Sequence, residues 1–149
     1  GFSPFMRYSE VLFIISEAAQ KGRTTYMTAP DAYEAAVTAS FLENGLSTDD
    51  ADALLATLPF SLENLFMQKW VSLFKESHEA WAEARRSDFP VMPSAPGSNL
   101  PVHDRPPFRW PYPTNESNLN GQNLAPHISQ LVDRFWGQKM WWDTRTSVN

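Results

Sequence analysis

Proline is distributed unevenly along this 149-residue chain, and its distribution limits where regular structure can form. Nine of the twelve prolines lie between Pro90 and Pro126. Proline lacks a backbone N–H and has a fixed φ, so neither helix interiors nor central strands tolerate it well. We therefore expect residues 1–89 to supply the regular core, and residues 90–149 to form a Pro/Trp-rich, mostly irregular segment that packs on it.

Apolar residues recur with helical spacing in residues 1–89 and predict four helices there. Ser or Thr marks the start of a helix, because its side chain caps the first turn. Gly marks the end of a helix, because it permits the left-handed backbone after the last turn. A bend or break in the fourth helix is expected near Ser77-His78. The first predicted helix runs from Pro4 to Gly22, the second from Thr28 to Gly45, the third from Ser47 to Pro59 and the fourth from Ser61 to Arg86.

The same spacing predicts which face of each helix is buried. Glu76, Glu79 and Glu83 fall on the polar side of the long helix, so we expect a solvated face rather than a pair of catalytic carboxylates. Arg85 and Arg86 suit the negative end of that helix and are expected to pair with nearby carboxylates. The predicted buried positions are Phe5, Tyr8, Leu12, Ile15 and Ala19 with Val11, Ile14 and Ala18 on the first helix, Tyr33, Ala36, Val37, Ser40 and Phe41 on the second, Leu54, Leu55 and Leu58 on the third, and Leu62, Leu65, Phe66, Trp70, Leu73, Phe74 and Trp81 on the fourth.

Consecutive helices joined by short turns predict an all-α fold of tetratricopeptide-like helical hairpins. Only two hairpins can be drawn in residues 1–89, whereas such stacks need about three repeats to bury their faces. The first residues, Gly1-Phe2-Ser3, also lack an initiator Met and a basic leader. We therefore expect the chain to be part of one larger domain, with any targeting signal outside it.

Charge and cysteine content argue against several classes of function. The formal net charge is −5, with 13 acidic and 7 basic residues in 1–89 and 4 and 5 in 90–149. Neither part has the clustered Lys and Arg that nucleic acids or anionic lipids require. The chain has no cysteine, which excludes disulfides and Cys-ligated metals within it. The sequence contains no apolar run of about 18 residues, so no membrane-spanning helix is predicted.

Residue types that often carry catalysis or bind metals are present, but their spacing favours neither role. His78, His103 and His127 are far apart, and no pair has the i, i+4 spacing of a helical metal site. No G-x-S-x-G elbow for a hydroxyl nucleophile is present. The glycosylation triplet Asn115-Glu-Ser117 is short enough to occur by chance. We predict no catalytic residue, no bound metal and no cofactor.

The C-terminal segment combines its prolines with aromatic residues, which disordered segments normally lack. Trp and Tyr present flat apolar faces with one polar edge, and such faces suit stacking on sugar rings. Trp110, Tyr112 and Trp136 are therefore predicted glycan-binding residues, and Trp141-Trp142 share this chemistry. The alternative is that the rings pack the segment back over the helices. One further short helix is predicted over residues 126–135.

Several distinctive strings follow one another along nearly the whole chain. The strings are Phe5-Met-Arg-Tyr-Ser-Glu-Val-Leu-Phe-Ile-Ile-Ser-Glu-Ala-Ala19, Gln68-Lys-Trp-Val-Ser-Leu-Phe74, Glu79-Ala-Trp81, Arg85-Arg86 and Pro90, Pro107-Phe-Arg-Trp-Pro-Tyr-Pro113 with Glu116, Asn120 and Asn123, and Lys139-Met-Trp-Trp-Asp143. In this order they resemble the SusD/RagB family of Bacteroidetes surface lipoproteins. Family members are commonly several hundred residues long, so the chain would correspond to their C-terminal portion.

The resemblance implies a non-catalytic protein that captures glycan, or sometimes peptide, at the outer surface of the outer membrane. It implies tetratricopeptide-like hairpins, and a lipid anchor on an N-terminal cysteine that this chain does not contain. It also implies a SusC-like TonB-dependent transporter as partner. The matched motif residues look mainly structural in the family, which favours packing over sugar stacking for Trp141 and Trp142.

Two other functions stay open at this point. The helical hairpins suit a scaffold that binds a protein partner in its grooves. A carbohydrate-active enzyme is the third possibility, and it rests only on the abundant carboxylates and aromatic residues. The resemblance favours glycan capture over both.

Overall fold

The computed structural model describes residues 5–90, 112–129 and 141. The chain divides into two compact units, Gly1–Pro90 and Val91–Asn149. Within the described ranges all regular structure is helical. The helices of the first unit are α1 Tyr8–Gln20, α2 Ala29–Glu43, α3 Thr48–Thr57, α4 Leu62–Ser72 and α5 Ser77–Ser87, and those of the second are α6 Thr114–Leu119 and α7 Gly121–Ile128.

Three helices of the first unit start at the predicted capping residues. The side chain of Thr28 accepts a hydrogen bond from the backbone N–H of Asp31, and that of Ser61 accepts one from Asn64. Ser47 and Asp50 form a reciprocal capping box at the start of α3. These bonds satisfy N–H groups that the first helical turn leaves unpaired, so the starts of α2, α3 and α4 were predictable locally.

The core of the first unit forms between α1, α2 and the two helices that follow them. α1 packs along α2, α2 also contacts α3, and α4 contacts α1 and α5. Tyr33 is fully buried, lies between the rings of Phe13 and Phe60, and donates a hydrogen bond of 3.0 Å to the carbonyl oxygen of Leu58. The predicted all-α fold of tetratricopeptide-like hairpins is confirmed. The central cluster is Leu12, Phe13, Tyr33, Ala36, Val37, Ala51 and Leu65.

The buried face of α1 differs from the predicted one. Phe5 and Tyr8 were expected in the core, but they are 97% and 64% exposed, whereas Phe13 is completely buried. The face that packs inward also carries polar residues, which apolar periodicity does not detect. The buried residues of α1 are Ser9, Glu10, Leu12, Phe13, Ser16 and Glu17.

The long fourth helix is divided where a break was expected. α4 ends at Ser72 and α5 begins at Ser77, and the backbone N–H of Glu76 bonds to the carbonyl of Leu73 in the turn between them. Phe74 lies in this turn and is 84% exposed, so its predicted place on the buried face was wrong. Because α4 ends before Phe74, the helical spacing no longer places this residue on the buried face.

The described part of the second unit contains two short helices. The predicted helix over residues 126–135 begins too late, because Pro126 lies inside α7 and near its end. Residues 130–135 lie outside the described part of the chain. Leu124 is the buried residue of α7. Among the described residues no helix is both long and apolar enough to cross a membrane.

Candidate functional site

The structure describes Tyr112 alone among the three predicted glycan-binding residues. Tyr112 is partly buried and stands just before α6, whose N-cap is Pro113. Trp110 and Trp136 lie outside the described residues. Trp141 is described and is 89% exposed, while Trp142 is not described. The glycan-binding role of these rings therefore stays a prediction.

The aromatic side chains at the end of the first unit pack against other side chains. The guanidinium carbon of Arg85 lies 4.6 Å from the centre of the Trp81 ring, a cation–π distance. Phe66 stacks on Phe89 with ring centres 6.0 Å apart, and Arg86 lies over the same Phe66 ring. These rings support α4 and α5, so they are engaged in packing.

Charged side chains fill the junction between α1, α4 and α5, where the sequence predicted a solvated face. Lys69 and Glu83 form an ion pair of 2.9 Å, and their side chains are only 8% and 5% exposed. Arg7 Nε donates to Glu76 Oε1 at 2.7 Å, and both of these side chains are also nearly inaccessible. The prediction of a solvated face was therefore wrong for Glu76 and Glu83.

Arg86 joins this cluster to α1. Its Nη1 and Nη2 atoms donate to the two carboxylate oxygens of Glu17 at 2.6 and 2.7 Å, in the bidentate geometry that fits guanidinium to carboxylate. Nη2 and Nε also donate to Glu83 at 2.7 and 3.2 Å. We call the set the ionic junction, and its members are Arg7, Glu10, Glu17, Lys69, Glu76, Glu83 and Arg86.

Burial and ion pairing have opposite effects on the pKa values of the acids in the ionic junction. Burial by itself would raise the pKa of Glu17, but hydrogen bonds from Arg86 and Lys21 outweigh it and lower the pKa to about 2. Burial raises the pKa of Glu10, and the neighbouring carboxylate of Glu76 raises it further. Glu17 is therefore held as a carboxylate, whereas the pKa of Glu10 lies above its ordinary value.

Sequence reasoning missed the ionic junction because its members come from three helices. One signal was present on α1: Ser9 and Ser16, and likewise Glu10 and Glu17, are seven residues apart, which places each pair on one face. Those four polar residues are all buried. The pairs Arg86–Glu83 and Lys21–Glu17 are local, but Arg86–Glu17, Lys69–Glu83 and Arg7–Glu76 join residues far apart in the sequence, and no local pattern could identify these.

The ionic junction has the chemistry of a structural cluster. Glu17, Glu76 and Glu83 each bind a cationic side chain, whereas a general acid or base must reach a substrate. The described residues include no group of three or more His, Cys, Asp or Glu placed to hold a metal. His78 and His127 are exposed, and His103 lies outside the described ranges.

An open groove of about 450 Å³ lies along α1 and α2. Glu43 in its lining accepts hydrogen bonds from the backbone N–H and the hydroxyl of Ser9, at 3.0 and 2.7 Å. The hydroxyl of Thr38 donates to the carbonyl of Glu34 at 2.9 Å. The side chains of Glu43 and Thr38 are thus engaged within the protein. The lining residues are Tyr8, Leu12, Ala35, Thr38, Ala39, Leu42 and Glu43.

Comparison with known protein families identifies the family to which this all-α chain belongs. The SusD-like family model, described as starch-binding and associating with the outer membrane, matches residues 2–113. The chain belongs to the SusD-like family. The match takes in the five helices of the first unit, and the family resemblance predicted from the sequence is confirmed.

Solved SusD-like proteins share the fold of this chain. A SusD homologue from Bacteroides thetaiotaomicron is 24% identical over 96% of this chain and 39% of its own, with a TM-score of 0.73. A chitin-binding protein is 28% identical over 93% of this chain and 33% of its own, with a TM-score of 0.68. A chitin-binding SusD homologue from Flavobacterium johnsoniae is 22% identical over 93% of this chain and 36% of its own, with a TM-score of 0.64.

The SusD-like chain is therefore much shorter than the solved proteins that it resembles. It spans 33% to 39% of the length of the three relatives described above. No curated protein sequence matches it significantly. The described part of this shared region is helical.

Proposed function

We propose that this SusD-like chain is part of a non-catalytic protein that captures glycan at the cell-surface side of the bacterial outer membrane. The observation that carries the proposal is the family match over residues 2–113, whose description is starch-binding and associating with the outer membrane. The 28% identity to a chitin-binding protein of the same fold supports the same class of ligand.

A non-catalytic role is supported by how three acids of the ionic junction are used. Glycoside hydrolysis needs two carboxyl groups that reach the scissile bond, one of them as general acid. Glu17 and Glu83 instead both bind Arg86, and Glu76 binds Arg7. Their burial and their cationic partners stabilise the helical unit and keep these acids from a polysaccharide.

Delivery of the glycan to a SusC-like TonB-dependent transporter is the further part of the proposal. We also propose that a lipid anchor holds the whole protein at the outer membrane. The membrane association in the family description supports both. Affinity purification of the tagged full-length protein from detergent-solubilised outer membranes should recover such a transporter. Recovery of the protein alone under mild detergent would contradict this part.

The predicted aromatic residues give the glycan proposal a direct test. Isothermal titration of the full-length protein with malto- and chito-oligosaccharides should detect binding. If Trp110, Tyr112 and Trp136 stack on sugar, each change to Ala should weaken binding by about tenfold, since a well-packed aromatic anchor contributes more than 1 kcal/mol. Tyr26→Ala is the matched control, because Tyr26 is 75% exposed and belongs to the first unit.

Three outcomes separate the parts of this proposal. Binding by the parent protein but unchanged affinity in all three variants would identify the aromatic residues as packing and place the glycan site elsewhere. Failure to bind any glycan of a broad panel would contradict glycan capture. Release of new reducing ends from a bound polysaccharide would contradict the non-catalytic role.

A further inference from the structure

Glu10 differs from the other acids of the ionic junction because no cationic side chain is bound to it. Glu17, Glu76 and Glu83 each form an ion pair. Glu10 is 8% exposed and forms no ion pair with a described residue. An ionised carboxylate that is buried without a partner is costly, and binding a proton removes that cost.

A second carboxylate lies close to Glu10. The bond from Arg7 Nε to Glu76 Oε1 holds the N-cap residue of α5 against the start of α1, where Glu10 follows Arg7 by one helical turn. Burial has the largest effect on the pKa of Glu10, and the negative charge of Glu76 raises this pKa further. Two acids from different helices therefore repel each other at this end of the ionic junction.

The other carboxylate oxygen of Glu76 is buried without a hydrogen-bond donor. Oε1 accepts from Arg7 at 2.7 Å, but no described residue donates to Oε2, although the Glu76 side chain is only 7% exposed. A buried acceptor that lacks a donor is destabilising. This end of the ionic junction thus has one negative charge too many and one O–H or N–H donor too few.

The charged groups of the surrounding helices do not supply what is missing. Lys69 of α4 lowers the pKa of Glu10, but its ammonium forms an ion pair with Glu83. Glu79 of α5 is a further acid and raises the pKa of Glu10. On the side of α1 that packs on α2, the carboxylate of Glu43 binds Ser9.

We propose that Glu10 and Glu76 form a proton-binding pair, which takes up one proton in mildly acidic solution and thereby fastens the start of α5 to α1. The proton comes from solvent and forms an O–H bond on one of the two carboxylates. Repulsion between two charges is then replaced by attraction between a carboxyl group and a carboxylate. The inference does not depend on glycan capture, so each can fail without the other.

The pair gives the helical unit a pH dependence opposite to that of Glu17. The folded pKa of Glu10 lies above its ordinary value of 4.5, which applies to the unfolded chain. Glu10 therefore costs no stability below pH 4.5, where it is protonated in both states. The cost appears as pH rises through the folded pKa, because the buried group then ionises.

Urea denaturation of the 149-residue chain and of its Glu10→Gln variant at pH 4, 5.5 and 7 tests this dependence. The urea midpoint of the variant should rise relative to that of the parent chain as pH increases, since Gln stays neutral. Glu63→Gln is the matched control, because Glu63 is an exposed acid of α4 and should show no such trend. A difference for Glu10→Gln that stays constant, or that falls with rising pH, would overturn the proposal.

The same comparison in a Glu76→Gln background separates a pair from a single buried acid. Removing the charge of Glu76 should bring the pKa of Glu10 nearer to its ordinary value and reduce the pH dependence of the Glu10→Gln effect. If that dependence is unchanged, Glu10 titrates by itself and no pair exists.

Carbon NMR of the unaltered chain provides a measurement that needs no variant to fold. The carboxyl carbon signals of Glu10 and Glu76 should both respond at one pH above 4.5, because a shared proton changes both groups. A Glu10 midpoint at or below 4.5, or a Glu76 signal that does not respond at the Glu10 midpoint, would also overturn the proposal.

Discussion

At the scale of single residues, the unusual feature of the first unit is a lysine and several glutamates that are buried together. Lys69 and Glu83 are buried, although Lys and Glu are rarely buried unless paired. Removing both charges from water is costly, and their mutual attraction offsets that cost only while both are present. Removing one partner alone is therefore more destabilising than replacing both.

Lys69→Met should lower the free energy of unfolding, but by less than the roughly 3 kcal/mol expected for a buried charge left without any partner, because Glu83 keeps its ion pair with Arg86. Urea denaturation measures the change. Lys75→Met is the matched control, since Lys75 is exposed and bonds only to the exposed amide of Asn44 among the contacts described. Equal effects of the two substitutions would contradict the assigned role of Lys69.

The lowered pKa of Glu17 predicts a specific dependence of stability on pH. Its folded pKa is about 2, below the ordinary value of 4.5, so its stabilising contribution is fully present above pH 4.5. That contribution is lost as pH falls from 4.5 through 2, where folded Glu17 takes up a proton. The stability difference between the parent chain and Glu17→Gln should therefore be large at pH 6 and shrink towards pH 2.5.

Urea denaturation of both proteins at pH 6, 4 and 2.5 measures this difference. Glu63→Gln is the control, because Glu63 is an exposed acid in the first turn of α4. A difference between the parent chain and Glu17→Gln that stays constant over this range would show that Glu17 has no pairing with Arg86 in solution.

At the scale of elements, α5 differs from α1 and α2 in how it is attached. The buried residues of α5 are Glu83 and Ala84, so little apolar surface holds it. Its links to the other helices include the Lys69–Glu83 pair and the bidentate bond from Arg86 to Glu17. A helix attached in this way should open more easily than the α1–α2 hairpin, whose core is apolar.

Arg86→Ala should increase amide hydrogen exchange in α5 by about tenfold and leave the centre of α2 unchanged, because it breaks the link between α5 and α1. Arg86→Lys should give an intermediate increase, since a lysine keeps the charge but cannot form the two parallel bonds. Mass-spectrometric exchange measures both. An equal increase over all helices would indicate global destabilisation and contradict local opening.

At the scale of the whole molecule, the two compact units belong to a chain that covers about a third of its solved relatives. The first unit carries the apolar core, the ionic junction and the groove. The packing of the Pro/Trp-rich segment on the helices stays a prediction, based on its aromatic residues. The glycan-binding roles of Trp110, Tyr112 and Trp136 also stay predictions.

If the C-terminal segment packs on the helices, removing residues 91–149 should destabilise residues 1–90. We expect the urea midpoint of the helical unit to fall in the truncated chain, because apolar surface would become exposed to water. Circular dichroism at the helical band measures the midpoint. An unchanged midpoint would show that the segment contributes nothing to the stability of the helices.

The sequence by itself determined the helical content of the first unit, the starts of α2, α3 and α4 and the family, because capping bonds, apolar periodicity and ordered motifs act over short stretches of chain. Thr28, Ser47 and Ser61 each cap a helix as predicted. Tertiary structure alone decided which side of α1 is buried and which acids are solvated. Glu17 meets Arg86 and Lys69 meets Glu83 only after three helices pack together. Their pairing depends on distances in space, which spacing along the chain does not encode.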